Sequence, residues 1–131
     1  MAQTNETHDP KLTSWVTSAN DGQSDFPIQN LPFAVFRRRG KGEAWRGGVA
    51  IGDQIVDMAA ALKAGVFPDA AQAAAEAAAE PTLNHLMGLG PKPLSHLRKA
   101  LSKALQTGST QESALKSCLV AQAQAEYSLP C

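Results

Sequence analysis

The chain has 131 residues, 44% of them hydrophobic and 18% charged, which fits one domain with a buried core and excludes both wholesale disorder and a second full domain. Twelve basic and twelve acidic side chains balance to zero, so no global field draws the chain to nucleic acid or an anionic membrane, and any such binding must come from a local patch. No apolar stretch approaches the roughly 18 residues of a membrane span, and the opening MAQTNETHDP lacks the basic and apolar regions of a signal peptide, so a cytoplasmic location with no membrane partner is expected.

Residues 1–23 are polar, with Trp15 their only large aromatic, and read as a mobile tail whose tryptophan docks on the body. Domain structure is expected over 24–131. In SDFPIQNLPFAVF, Pro27 and Pro32 fix φ and withhold two N–H donors, which suits a stiff, extended approach to a sheet. FAVF then starts a strand, with Phe33 and Val35 on one face and Ala34 and Phe36 on the other. RRRGKGE reads as a charged loop. In WRGGVAIGDQIVDM, Val49 and Ile51 alternate with small residues, Gly52-Asp53 supplies a turn and Ile55-Val56 resumes a strand, the pattern of a hairpin with one buried face.

After Met58 the period changes. AAALKAG predicts a short helix ended by Gly65, and PDAAQAAAEAAAE predicts a second, with Asp69 as cap, Gln72 completing a capping box and Pro81 as stop. Alanine buries little area, so this helix, within 69–80, is expected to lie exposed on the surface as a decoration. TLNHLMGLG makes one or two turns that bring in Leu83, Leu86 and Met87, stopped by Gly88 and Gly90. Pro93 then opens a helix with Leu94, Leu97, Leu101, Ala104 and Leu105 on one stripe and Arg98, Lys99 and Lys103 on a solvated face. Ser109 and Glu112 predict a capping box opening a further helix through Leu115, Cys118 and Leu119, and AEYSLPC reads as a last strand with Tyr127 and Leu129 on one side. The sum is a mainly β body of three or four strands followed by short helices.

Chemistry is sparse along this chain. Asp53 and Asp57 flank a strand, and nothing else converges on them as acid/base work requires. His85 and His96 are separated by Gly88, Gly90 and Pro91, unlike a helix-borne zinc pair, and His8 lies in the tail. Cys118 falls on an apolar helical face and Cys131 at the last position, so both read as free thiols and Cys118 as buried and inert. GVAIGDQ lacks the order of a phosphate loop. The one patch with binding chemistry is Arg37, Arg38, Arg39, Lys41 and Arg46, which as a stand-alone interaction module would take anionic partners; Trp45 or Phe36 would have to stack the bases of a nucleic acid and are as readily core residues, so nucleic-acid binding is not expected.

SDFPIQNLPFAVF, GVAIGDQIVDM and TLNHLMGLG, in that order, resemble the N-terminal domain of the fumarylacetoacetase family, over about residues 24–130. The alanine-rich stretch and RRRGKGEA carry no family pattern. The resemblance implies a small SH3-like β-barrel with appended helices and a non-catalytic, positioning role. It places the catalytic groups in a following, larger β-rich domain that would begin just past YSLP. There a divalent metal, Mg or Ca, held by carboxylates, with a Glu-activated His and a water, hydrolyses the C–C bond of 4-fumarylacetoacetate to fumarate and acetoacetate in tyrosine and phenylalanine breakdown. No catalytic, cofactor-binding or metal-binding position of the family maps onto this chain, no cofactor is expected in it, and its implied partner is that catalytic C-terminal domain. A barrel without that partner is expected to expose an apolar patch and to self-associate weakly.

Overall fold

The computed structural model describes residues 12–20, 27–40, 42–80 and 84–128. Five antiparallel strands form one sheet: β1 (Phe33–Arg38), β2 (Arg46–Ile51), β3 (Gln54–Asp57), β4 (Leu119–Ala121) and β5 (Ala125–Ser128), in the order β4-β3-β2-β1-β5. The expected hairpin is β2–β3, with Ile51 opposite Gln54 and Gly52 at φ 56° in the turn. Five helices accompany the sheet: α1 (Met58–Ala64), α2 (Asp69–Ala78), α3 (Asn84–Gly88), α4 (Pro91–Leu105) and α5 (Glu112–Lys116). Helical residues outnumber strand residues, so the architecture is mixed α/β rather than mainly β with appended helices.

The sheet is open, for no ladder joins β4 to β5, yet it is not flat. Its two edge strands are connected only by the 3-10 turn Gln122–Gln124. The four residue-to-residue steps from Ala121 to Ala125 span at most about 14 Å, whereas the edges of a flat five-stranded sheet lie about 19 Å apart. The sheet must therefore curl. The crossing turn is held at both sides: Gln122 N and Nε2 donate to Asp53 O and Gly52 O, each at 2.9 Å, and Arg39 N donates to Gln124 O at 2.8 Å.

Both sheet faces are buried, not one. Adjacent apolar residues in β1 and β3 split between them, since successive side chains point opposite ways. Phe36, Ile55, Val120 and Ala125 form a small cluster on one face. Val35, Val49, Ile51 and Val56 join the helices in the main core on the other.

The alanine helix overturns its expected place. Ala71, Ala74, Ala75, Ala77 and Ala78 are all buried, and α2 packs between α4 and the sheet. Small side chains are what allow this. A Cβ on Gly47 would stand 1.4 Å from the Ala78 carbonyl oxygen, so the helix backbone rests directly on β2. A Cβ on Gly48 would stand 2.6 Å from both Phe36 and Ile55, whose side chains fill the space over β2 on the opposite face. Area per residue underestimates such a helix, because what alanine contributes is close approach.

Other termini differ from expectation in detail. Asp69 is already helical, Pro68 precedes it and no capping box forms. Ser109 holds a turn, its Oγ accepting from Gln111 N at 3.0 Å, and α5 starts only at Glu112 and ends at Lys116, so Cys118 follows the helix and Leu119 is a strand residue. α1 ends as expected at a left-handed Gly65, and Asp57 caps its start by accepting from Ala59 N. α4 starts at Pro91, two residues before Pro93, and its predicted stripe is buried at Leu97, Leu101, Ala104 and Leu105.

Within the expected tail, residues 12–20 pack on α4, and the rest of it lies outside the described residues. Trp15 docks as expected: its Nε1 donates to Ala104 O at 2.9 Å, Ser14 Oγ donates to Leu105 O and Thr107 N donates to Thr13 O at 2.9 Å. Two last-turn carbonyls of α4, those of Ala104 and Leu105, are thereby satisfied. Ile28 and Leu31 are core residues, and Pro32 O accepts from Ala50 N at 3.0 Å, so the proline segment is fastened to the sheet. Phe26, Leu83 and Leu129 lie outside the described residues, as do Cys131, Pro81 and His8.

Candidate functional site

The greatest density of charge lies where β1 ends and β2 begins. Arg46 leaves β2 with its guanidinium over the Phe36 ring, 4.8 Å from the centre, and meets two carboxylates: Nη1 to Glu43 Oε1 at 2.7 Å and Nη2 to Asp57 Oδ2 at 3.0 Å. Glu43 also accepts from Arg38, through the backbone N–H and Nη1, both at 3.0 Å. Asp57 uses its other oxygen on the first turn of α1. The network joins the 39–45 loop to the sheet and the first helix.

Its electrostatics match its geometry. The Arg46 hydrogen bond first, then the Arg38 N–H, hold the Glu43 carboxyl down at about 2. Burial works against the Arg46 charge, but the Glu43 hydrogen bond and the Asp57 charge outweigh it and raise the guanidinium above its ordinary value. Both partners are locked in their charged forms, which suits a structural clamp and not a proton-transfer group.

The other arginines of the basic run are engaged too. Arg37 pairs with Glu126 across β1–β5 and lies 4.2 Å from the centre of the Trp45 ring. Arg39 donates from Nε to Ala125 O at 2.9 Å. The arginines of the patch considered as an alternative anion-binding module thus make contacts within the domain, and Lys41 lies outside the described residues. An open groove beside Arg38, Arg39, Ala123 and Gln124 remains at this end.

Asp53 and Asp57 do not converge. Asp53 accepts from Ser18 Oγ at 2.7 Å and from Gln54 Nε2 at 2.9 Å, and these bonds, Ser18's first, lower its pKa and make it a poor base for that serine. The bond it makes ties residues 17–20 to the β2–β3 turn. His85 pairs with Glu80 through Nδ1 at 2.7 Å, and His96 is exposed on α4. Cys118 is buried and free, with burial raising its thiol pKa. A depression of about 360 Å³ between α4 and residues 109–111 is lined by Val66, Pro68, Ala100, Lys103 and Thr110, among others, with no acid or imidazole.

Among the described residues no three His, Cys, Asp or Glu side chains come together as a metal ion would need. Glu43 and Asp57 already hold a guanidinium between them, and a Mg or Ca ion, which wants about six or more oxygens, does not fit there. No described helix is long and apolar enough to cross a membrane. The large hydrophobic residues standing out of the described surface are Met87 and Tyr127.

Sequence reasoning placed Arg98 on a solvated face. It is half-buried instead, with Nη1 donating to Leu31 O at 3.1 Å and the guanidinium 5.0 Å from the Phe33 ring centre.

These features define a mixed α/β domain whose charged groups, where they cluster, hold its own loops and strands. Its family follows from comparison. The family model "Fumarylacetoacetase N-terminal" matches residues 29–130. Fumarylacetoacetase of Oryza sativa subsp. japonica is 41% identical over 113 residues, 82% of this chain and 26% of that protein. That of Homo sapiens is 36% identical over 121 residues, 89% and 28% respectively, and that of Bos taurus 43% over 94 residues, 70% and 21%. The chain belongs to the fumarylacetoacetase N-terminal family, and it spans about a quarter of the length of these curated relatives.

Proposed function

We propose that this domain is a non-catalytic, positioning part of a fumarylacetoacetase-like enzyme that hydrolyses the C–C bond of 4-fumarylacetoacetate to fumarate and acetoacetate in cytoplasmic tyrosine and phenylalanine breakdown. The observation that carries the reading is the use of the clustered carboxylates: Glu43, Asp57 and Glu126 are each committed to an arginine of the same domain. Under this reading the metal-assisted chemistry belongs to the larger part of such an enzyme, and this domain supplies a rigid face against which that part is set.

The curl of the sheet supports a finer reading, an SH3-like barrel. Five strands in this order, with edge strands joined by a single 3-10 turn and Phe36, Ile55, Val120 and Ala125 clustered on one face, would give the small interior of such a barrel. The functional reading is tested by assaying the chain alone with 4-fumarylacetoacetate and Mg or Ca, and by a chimera of the rice relative whose matched quarter is replaced by this chain. The chain alone is expected to be silent and the chimera active. Metal-dependent turnover by the chain alone would overturn the proposal.

A further inference from the structure

Between Glu80 and Glu112 the chain has no acidic residue, while Lys92, Arg98, Lys99 and Lys103 supply four positive charges, all on α4. Lys92 and Lys103 are exposed, where water carries the charge. Arg98 is half out of water, and among the described residues its polar contact is the Leu31 carbonyl and no carboxylate reaches it. Burial pulls its pKa down, the mark of a cation that has lost solvent without gaining a counter-charge among the described residues. Arg46, also partly withdrawn from water, has two carboxylates.

The place of Arg98 in the fold says where its counter-charge comes from. β5 runs antiparallel to β1 with Ser128 opposite Val35, so the chain leaves the sheet at the end where β1 begins, beside Pro32 and Phe33. Arg98 stands over that same Phe33. In the relatives this N-terminal quarter is joined to a much longer remainder, and β5 ends at Ser128, at the end of the sheet where Arg98 stands over Phe33. Pro32 and Phe33 are each only partly covered and supply apolar surface around it.

We propose that Arg98, framed by Pro32 and Phe33, is the docking point where a carboxylate on the larger part of a fumarylacetoacetase-like chain is received, fixing the orientation of the two parts. The inference rests on the positioning role proposed above and names its anchor. The fork of a guanidinium accepts a carboxylate through two parallel bonds, and Phe33 and Leu31 O hold that fork in place before the partner arrives.

The test uses the full-length chimera described above, in Arg98, Arg98→Met and Arg98→Lys forms, followed by calorimetric unfolding at low and high salt, by 4-fumarylacetoacetate turnover, and by sedimentation of the free chain. The Arg98 chimera is expected to melt in one transition. Arg98→Met should split it into two, with the lower one matching the free chain, and Arg98→Lys should restore a single transition that high salt divides. The free Arg98→Met chain should keep the melting temperature of the free parent chain to within a few degrees. If it does not fold, the Arg98→Lys chimera and the salt dependence of the parent chimera still decide. An active, single-transition chimera that Arg98→Met leaves unchanged would overturn the anchor while sparing the positioning role. An inactive parent chimera with two independent transitions would overturn both. A free chain that dimerises through Arg98 would assign the carboxylate to a second copy and overturn the proposal.

Discussion

Replacing Gly47 by alanine tests the claim that α2 is seated on the sheet by backbone contact. The added Cβ would lie 1.4 Å from Ala78 O and 2.6 Å from Ala78 C, both backbone atoms with no rotamer to yield. A relaxed carbon–oxygen contact needs roughly 2 Å more, so the end of α2 must retreat by about that distance. Overpacking of this kind costs about 1–3 kcal/mol. The retreat also loosens five buried alanine methyls, each contributing roughly 0.8 kcal/mol, and a loss of about 3 kcal/mol in all is expected. That is a large share of the roughly 5–15 kcal/mol that holds a domain together, and it corresponds to a fall in melting temperature of about 10 °C. Urea unfolding followed by Trp15 and Trp45 fluorescence measures it. Gly40→Ala is the control: Gly40 is left-handed at φ 68° with open space around it, so the change costs only about 1 kcal/mol of backbone strain. If Gly47→Ala proved no worse than Gly40→Ala, the close packing of α2 on β2 would be refuted.

Ala78→Glu should unfold the domain, whereas Ala73→Glu, on the exposed side of the same helix, should change stability by less than about 0.5 kcal/mol in the same urea assay. The Glu43 carboxyl sits at about 2 against an ordinary 4.5, so its contribution is complete above pH 4.5 and is lost as pH falls toward 2; Glu43→Gln should flatten the urea midpoint's dependence on pH across that window. Asp57→Ala removes both a helix cap and a carboxylate of Arg46 and should cost about 2–3 kcal/mol, while Asp57→Asn keeps the cap and should cost about half as much, read from urea midpoints.

The sheet was legible because its signals are local. β-branched residues at a period of two, a Gly-Asp turn and adjacent apolar pairs locate 33–58 without knowledge of any partner. The last strand was readable as well, while β4, with three residues, is too short to carry a pattern. The alanine helix was misread because its burial depends on what lies opposite. The available signal was in β2, where two successive glycines mark a place another backbone can approach. Arg98 shows the same limitation from the polar side. It follows Leu94 by four residues and precedes Leu101 by three, the spacing of one helix face, but its charge was read as exposure. For the candidate site, the basic run 37–46 was visible as composition, and its pairing was not. Glu43 is three residues from Arg46 and could be guessed as a partner, whereas Asp57 and Glu126 reach Arg46 and Arg37 only through strand register.

The two ends of β1 therefore face opposite electrostatic problems. At its C-terminal end the arginines meet carboxylates and carbonyls already in place, so that a foreign anion would have to displace bonds the domain uses to hold its own loop and edge strands. At its N-terminal end a guanidinium is withdrawn from water over Phe33 and, among the described residues, bonds a carbonyl and no carboxylate. An unpaired, half-buried charge costs more than it returns unless something answers it. The sequence tolerates that arrangement on a helix with no acid of its own, at the edge where the chain leaves the sheet. A glutamate one turn away on α4 would answer that charge from within the domain; under the docking proposal the partner's carboxylate takes that place.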